Sequence, residues 1–331
     1  MASPTPPDSR SLQQRAWSRY WSSGALTSLP EDFRVNYDGE IRDFWRACCT
    51  ALADGAAVLD VCTGNGAVAL LLAEALSDRG VDARISALDQ AEIRPELIRQ
   101  RFPALARHVD SIRFVGGRAF DEPALDDLFD DASQDLIASQ YGIEYCEPEA
   151  AARQCARLLA PGGRLALLTH ATDSAMRATM QQELEQYEVL ADSGLFQHVR
   201  DWQAGTLDAD GLVRALGEID AAVRRRSGAA SSPLFAYVLG LTGQVGRWTA
   251  SQLQAQRAAV IDAVEQLEDG RSRLDQMLGV HRLLASPGQF AGHFEQAGLV
   301  LDEDGPLTYR GTHAVGHRFL FSKPTDETPR G

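Results

Sequence analysis

From Ala56 onward, short apolar runs alternate with amphipathic stretches of helical period. "AAVLDV" (56–61) predicts a strand, and "AVALLLAEALSDRG" a helix stopped by Gly80. "RISALD" (Arg84–Asp89) predicts the second strand, followed by a helical stretch through Arg101. "SIRFVGG" (Ser111–Gly117) and "QDLIASQ" (Gln134–Gln140) predict the third and fourth. "EPEAAARQCARLLAPGG" then predicts a helix that ends before Pro161, with "RLALLTH" (Arg164–His170) as strand five. Strands this continuously apolar, separated by helices, predict a parallel sheet covered on both faces.

Between Ala171 and about Pro287 the strand pattern stops. Val260, Val264 and Leu267, then Leu274, Met277 and Leu278, recur at helical spacing and predict buried helix faces. Turns are predicted at Ser193-Gly194, Ser227-Gly228 and Ser232-Pro233, and a break in the long helix at Asp269-Gly270. A last helix, "GQFAGHFEQAG", precedes two strands, "LVLDED" and "HRFLFSKP". The expectation is an α/β fold: a Rossmann-like, doubly wound, seven-strand, mostly parallel sheet with a large helical insertion after strand five. Residues 56–170 and 288–331 form that domain, and 171–287 form the insertion, a substrate lid or a dimer interface. Residues 1–55 hold an aromatic-rich helical segment with Trp17, Tyr20, Trp21, Phe33, Tyr37, Phe44 and Trp45, readable either as core packing or as a cover over a pocket. The Pro- and Ser-rich residues 1–10 and the polar tail from Thr325 are expected to lack stable structure.

Composition narrows the function classes. The net charge is −14 over 331 residues, which speaks against a nucleic-acid binder needing a basic stripe. The densest basic cluster, Val223–Ser227, reads as a solvated helix end. No apolar run reaches membrane-spanning length, and the first thirty residues lack a secretory pattern, so a cytoplasmic protein without membrane insertion is expected. Five scattered cysteines, none in a CxxC pair, suggest reduced thiols and no metal site.

The chemistry is concentrated in "VLDVCTGNGAVALLLAE" (Val58–Glu74). Gly64 and Gly66 at a strand-to-helix turn suit close approach of a ligand to the backbone, and Asp60 at the strand end suits a cationic amino group. Asp89 ends the next strand, where a carboxylate accepts hydrogen bonds from ribose hydroxyls. A ligand with ribose, a positive amino-acid end and no phosphate satisfies both acids, which describes S-adenosylmethionine. "VLDVCTGNG", "LDQAE", "DLIASQYGIEY" and "ARLLAPGGRLALLTH" together resemble the class I S-adenosylmethionine-dependent methyltransferases, nearest to the ubiquinone/menaquinone-biosynthesis type. Cys62 stands where many members have a first glycine. The resemblance implies that Asp60, Gly64 and Gly66 hold the methionine end, that Cys62 belongs to the same cofactor site, that Asp89 binds ribose, and that Gln90 lies beside adenine. It implies backbone contacts near Arg118 and Ala119, and Ser139, Gln140 and Tyr141 along the path to the acceptor.

Methyl transfer from a sulfonium is an in-line displacement, so positioning carries much of the rate and a base is needed only for a protonated acceptor. His170, at the end of strand five, is the first candidate base, with Tyr141 and Glu144 next; His198 and His281 rank below them. Trp21, Tyr20 and Tyr37 are candidates to close over the cofactor. The expected partner is a small-molecule acceptor, with oxygen or nitrogen favoured. Two other classes stay open: an NAD(P)-dependent oxidoreductase, suggested by G-x-G-x-x-A at Gly64, Gly66 and Ala69, and a noncatalytic S-adenosylmethionine binder.

Overall fold

The structure is a computed structural model that describes residues 9–28, 33–122, 125, 127–172, 174–226, 232–311 and 313–325. The expectations for residues 1–8, for Ser227-Gly228 and for the tail beyond Thr325 lie outside the described residues.

In chain order the elements begin with α1 (Ser9–Ser22), α2 (Gly39–Cys48), β1 (Ala57–Val61), α3 (Ala67–Asp78), β2 (Arg84–Leu88), α4 (Pro95–Arg101) and α5 (Ala106–Val109). Then come β3 (Ile112–Val115), β4 (Gln134–Gln140), α6 (Pro148–Leu158) and β5 (Leu159–Thr169). Six helices follow: α7 (Ser174–Asp192), α8 (Leu195–Ala204), α9 (Ala209–Arg224), α10 (Pro233–Val245), α11 (Ala250–Ala255) and α12 (Arg257–Leu283). The chain closes with α13 (Pro287–Gln296), β6 (Val300–Tyr309) and β7 (His313–Ser322).

The seven strands run in the order β3-β2-β1-β4-β5-β7-β6. β1 to β5 are mutually parallel, and β7 enters antiparallel between β5 and β6. The expected Rossmann-like sheet is therefore present. The strand alternation sorts the core onto two faces. Val58, Ala138 and Leu168 pack with Trp45 of α2 and Leu72 of α3. Leu59, Ile137 and Leu167 face the other way, onto Leu158 of α6 and Phe290 and Phe294 of α13. Strand order reverses between β1 and β4, and in open α/β sheets ligands bind beyond the carboxyl ends at such a point.

The last two strands are longer than expected, β6 reaching Tyr309 and β7 starting at His313, and two further expectations differ. β5 begins at Leu159 rather than Arg164, because Gln134 pairs with Leu159 and Leu136 with Arg164, so Pro161-Gly162-Gly163 bulges out within one strand. The second difference is in α12, which runs unbroken through Asp269-Gly270. Gly270 is there for packing: a Cβ on it would lie 2.6 Å from the Tyr187 hydroxyl oxygen.

The chain divides into two compact units, residues 1–172 with 279–331, and residues 173–278. The second has its own core, including Leu190, Phe196, Leu216, Val238 and Val264. Its helix ends follow local chemistry. Gly194 (φ 81°) turns the chain into α8, Ser232 caps α10 ahead of Pro233, and Thr249 with Gln252 forms a capping box at α11.

Gly66 starts α3 at φ 93°, and a Cβ there would lie 2.6 Å from the Phe114 ring. Gly55 has a similar φ of 84° with open space around it. Gly66→Ala is expected to cost about 2–4 kcal/mol in denaturant unfolding, because backbone strain and overpacking add. Gly55→Ala carries only the backbone part, roughly 1 kcal/mol.

Candidate functional site

At the reversal of strand order, the residues following β1 and β4 are both forced into the left-handed region: Cys62 has φ 56° and Tyr141 φ 52°. L-residues hold that conformation only where the surroundings over-determine it, and such strain gathers at working sites. Here the two turns press on each other. A Cβ on Gly142 would sit 2.3 Å from the Cys62 Cβ, so only glycine fits. Ser139 ties them further, donating from Oγ to the Val61 carbonyl (2.9 Å) and accepting from the Ile143 N–H (3.1 Å).

Between these turns, the end of β2 and helix α1 lies a cavity of about 340 Å³, within the size range of small-ligand sites. Cys62, Asp89 and Gln90 lie on its β1–β2 side, and Tyr141, Tyr145 and Cys146 on its β4 side. Arg118 and Ala119 line it from the segment after β3. Arg10, Gln13, Trp17 and Trp21 of α1 line it too.

Asp89 is the acid at its centre. Its Oδ2 accepts the Gly64 N–H at 2.7 Å and its Oδ1 the Ala91 N–H at 2.8 Å. Burial pushes its pKa up to about 6, against the pull of those two N–H groups. Asp60 is buried deeper: its Oδ2 accepts from Thr63 Oγ1 (2.5 Å) and the Ala69 N–H (3.0 Å), while its Oδ1 has no hydrogen-bond partner. Desolvation raises its pKa to about 7. Ionising either carboxylate opposes folding. Their stabilising contribution is therefore full below the ordinary carboxylate range and lost as the pH rises through 6 to 7.

The glycine turn does more packing than its sequence suggests. Gly64 faces the Trp21 indole, where a Cβ would lie 2.4 Å from a ring carbon, and Gly66 faces Phe114. Asn65, fully buried, uses its whole amide: Nδ2 donates to the Trp21 and Ala25 carbonyls (2.9 and 2.7 Å), and Oδ1 accepts the Arg94 N–H (2.7 Å). That side chain clamps the end of α1 over the turn. At the other end of α1, the half-exposed Arg10 guanidinium reaches Asp121 (2.9 Å) and Glu122 (3.2 Å). In the middle, Ser18 Oγ accepts the Glu92 N–H at 2.9 Å.

The early aromatics thus split along the chain. Trp17 and Trp21 stack at 6.5 Å on the cavity wall, and Trp17 meets Tyr145 edge-on at 5.5 Å. Phe33, Tyr37, Phe44 and Trp45 belong to the core. Tyr37 hydrogen-bonds Ser28, and Tyr20 reaches back to the Thr27 and Ser28 carbonyls, so of the three expected cover residues Trp21 is the one on the cavity.

The three candidate catalytic residues come together. Glu144, buried, accepts from the His170 N–H (2.9 Å) and faces His170 Nδ1 at 2.7 Å. A carboxylate only accepts, so Nδ1 carries the proton and Nε2 is left with its lone pair. The Tyr141 ring tilts against His170 at 4.8 Å and the Tyr145 ring meets it at 5.7 Å. Tyr141 is itself pinned, donating its hydroxyl to the Val315 carbonyl at 2.6 Å. Burial holds its pKa above the ordinary tyrosine value. His170 is not among the residues lining the larger cavity; it lines a second one of about 140 Å³ beside His317 and Phe319.

Of the expected cofactor residues, Cys62, Asp89, Gln90, Arg118 and Ala119 line the larger cavity. Asp60, Gly64, Gly66, Ser139 and Gln140 are not among its lining residues and hold its walls instead; Gln140, for one, accepts from Trp45 Nε1 at 2.6 Å. His198 lies in the helical unit, and His281 in the α/β unit, buried on α12. Sequence reasoning missed Arg10, Asn65 and Cys146, and named Trp17 only among aromatics that could either pack in the core or cover a pocket. Asn65 had a signal, a long amide inside a glycine turn, whereas Cys146 had none.

Residues 58–163 match the family described as methyltransferase domain. Over these residues the chain carries a methyltransferase domain. The 2-phytyl-1,4-naphtoquinone methyltransferase of Thermosynechococcus vestitus is 33% identical over 141 residues, covering 42% of this chain and 57% of that protein. The chain thus matches little more than half the length of that relative. Among solved structures, a putative S-adenosyl-L-methionine-dependent methyltransferase from Methanococcus maripaludis is similar at 13% identity and TM-score 0.41, covering 99% of this chain and 100% of that one. A geranyl diphosphate C-methyltransferase from Streptomyces coelicolor is similar at 15% identity and TM-score 0.36, covering 51% and 67%. The methyltransferase family match ends at Gly163, so the helical unit and α1 lie outside it. Among the described residues no group of His, Cys, Asp and Glu is arranged to hold a metal ion, and no helix is long and apolar enough to cross a membrane.

Asn65→Ala removes three hydrogen bonds and leaves the Ala25 carbonyl and the Arg94 N–H without that partner, while the Trp21 carbonyl keeps the Gly24 N–H at 3.1 Å. It is expected to cost about 2–4 kcal/mol and to speed hydrogen exchange in residues 9–28 ahead of β1 and β4. Uniform acceleration across the sheet would contradict a clamp confined to α1.

Proposed function

We propose that the chain transfers a methyl group from S-adenosylmethionine to a small molecule bearing an oxygen or nitrogen nucleophile. The observation that carries this reading is Asp89, whose carboxylate stands at the end of β2 on the wall of the cavity with its charge balanced only by backbone N–H groups. The residues fit the cofactor. Asp89 offers acceptor lone pairs to ribose hydroxyls, Gln90 and Ala119 flank the space for adenine, and the π-faces of Trp17 and Trp21 attract a cation. When bound, S-adenosylmethionine supplies an activated methyl group on a sulfonium.

The protein's own part is positioning and proton handling. Tyr141 and Tyr145 line the larger cavity and pack their rings against His170, which sets the imidazole next to the residues of that wall. Glu144 fixes the His170 tautomer, which leaves Nε2 able to take the proton of an O–H or N–H acceptor. The net charge of −14 supports a small acceptor over a nucleic acid. The helical insertion, which leaves β5 just after His170 in sequence, is assigned to acceptor selection or to self-association in a homodimer.

The oxidoreductase alternative is disfavoured by the turn itself. A pyrophosphate needs free N–H groups there, yet the Gly64 N–H is bonded to Asp89 and the Gly66 N–H to the Thr63 carbonyl (3.0 Å). The Trp21 ring also covers Gly64.

Titration calorimetry with S-adenosylmethionine, S-adenosylhomocysteine and NAD(H) tests the reading. The adenosyl ligands are expected to bind, and Asp89→Ala to weaken them at least tenfold, roughly 1.4 kcal/mol or more. Affinity is expected to fall as the pH drops through about 6 and Asp89 takes up a proton. Binding of NAD(H) alone would overturn the reading. Adenosyl binding with no methyl transfer to any metabolite pool would favour a noncatalytic binder.

A further inference from the structure

Cys62 and Cys146 are 84 residues apart in sequence and meet on the cavity wall with their sulfurs 3.7 Å apart. Cys62 begins the turn after β1, and Cys146 follows a short 3-10 turn, Ile143–Tyr145. The approach is built in. Gly142 lets its turn lie against the Cys62 Cβ, Ser139 Oγ bridges the Val61 carbonyl and the Ile143 N–H, and the Cys146 N–H bonds to the Ile143 carbonyl at 3.1 Å. The other three cysteines, Cys48, Cys49 and Cys155, are buried, whereas this pair is partly exposed and faces the cavity. Methyl transfer as derived above gives the two thiols nothing to do as a pair.

We propose that Cys62 and Cys146 form a site of oxidation by hydroperoxides, closing to a disulfide on the cavity wall that excludes the adenosyl ligand. The second half rests on the cofactor reading above. In the first step the Cys146 thiolate attacks one oxygen of hydrogen peroxide. The O–O bond breaks, hydroxide leaves and is protonated to water, and Cys146 becomes a sulfenic acid. The Cys62 sulfur then attacks the Cys146 sulfur and expels a second hydroxide, which takes the Cys62 proton. Two thiols are oxidised and one peroxide is reduced to two waters. Contact with Cys146 and burial push the Cys62 thiol above its ordinary range, which disfavours Cys62 as the first nucleophile. A disulfide is about 2.05 Å long, so the sulfurs must close by about 1.7 Å from their 3.7 Å separation. The two turns carrying them bound the cavity between Asp89 and Tyr145, and drawing them together reshapes that space.

The test is intact-mass spectrometry and peptide mapping of the full chain after hydrogen peroxide, with S-adenosylmethionine affinity measured before, after, and after dithiothreitol. The expected result is a loss of about 2 Da, two hydrogens, a cross-linked pair of peptides holding residues 62 and 146, and affinity lowered at least tenfold and restored by reduction. Cys146→Ser should show neither the cross-link nor a peroxide-dependent change in affinity. Stable sulfinic acid at either position, or a bond between other cysteines, would overturn the thiol pair. A 62–146 cross-link with unchanged affinity would overturn the exclusion. If the reduced protein fails to bind S-adenosylmethionine, the cofactor reading and the exclusion both fall, and the mass data alone decide whether the pair oxidises.

Discussion

A buried carboxylate ties the candidate site together. Asp89 accepts the Gly64 N–H with one oxygen and the Ala91 N–H with the other, joining the turn after β1 to the loop after β2. Because both donors are neutral, the charge is held without being cancelled, at an energetic cost visible in a pKa raised to about 6. The position of Gly64 sets where Trp21 rests, and Asn65 beside it sets where α1 ends. The cavity's floor and cover therefore share one anchor.

The same turn shows how one motif serves fold and function together. Gly66 is small so that Phe114 fits, Gly64 so that Trp21 fits, and Gly142 so that the β4 turn reaches Cys62. Each close approach brings rings and thiols to the cavity wall, beside the longer side chains of Arg10, Gln13, Gln90 and Arg118. The left-handed conformations of Cys62 and Tyr141 are the strained remainder of that fit.

Much of the sheet was legible because its strands are continuously apolar and its helices keep their period: β4 spans Gln134–Gln140 as the pattern predicts. What escaped depends on partners distant in sequence. The Asp269-Gly270 pair reads as a break, yet Gly270 only makes room for the Tyr187 hydroxyl inside an unbroken helix. Glu144 and His170 could each be named from strand-end positions, but their 2.7 Å pairing needs the fold. The split of the early aromatics into wall and core, and the meeting of Cys62 with Cys146, have no local signature at all. Asp60's motif position suggests ligand contact, and its hydrogen bonds to Thr63 and Ala69 also hold the start of α3, a second duty that only the fold shows.

The most direct measurement is a crystal structure of the full chain grown with S-adenosylhomocysteine. The expected density places the ribose hydroxyls within hydrogen-bonding distance of the Asp89 carboxylate, the adenine near Gln90 and Ala119, and the thioether between Cys62 and Tyr141. Ligand density elsewhere on the molecule, or a cavity that stays closed by Trp21 at saturating ligand, would contradict the assignment of this cavity to the cofactor.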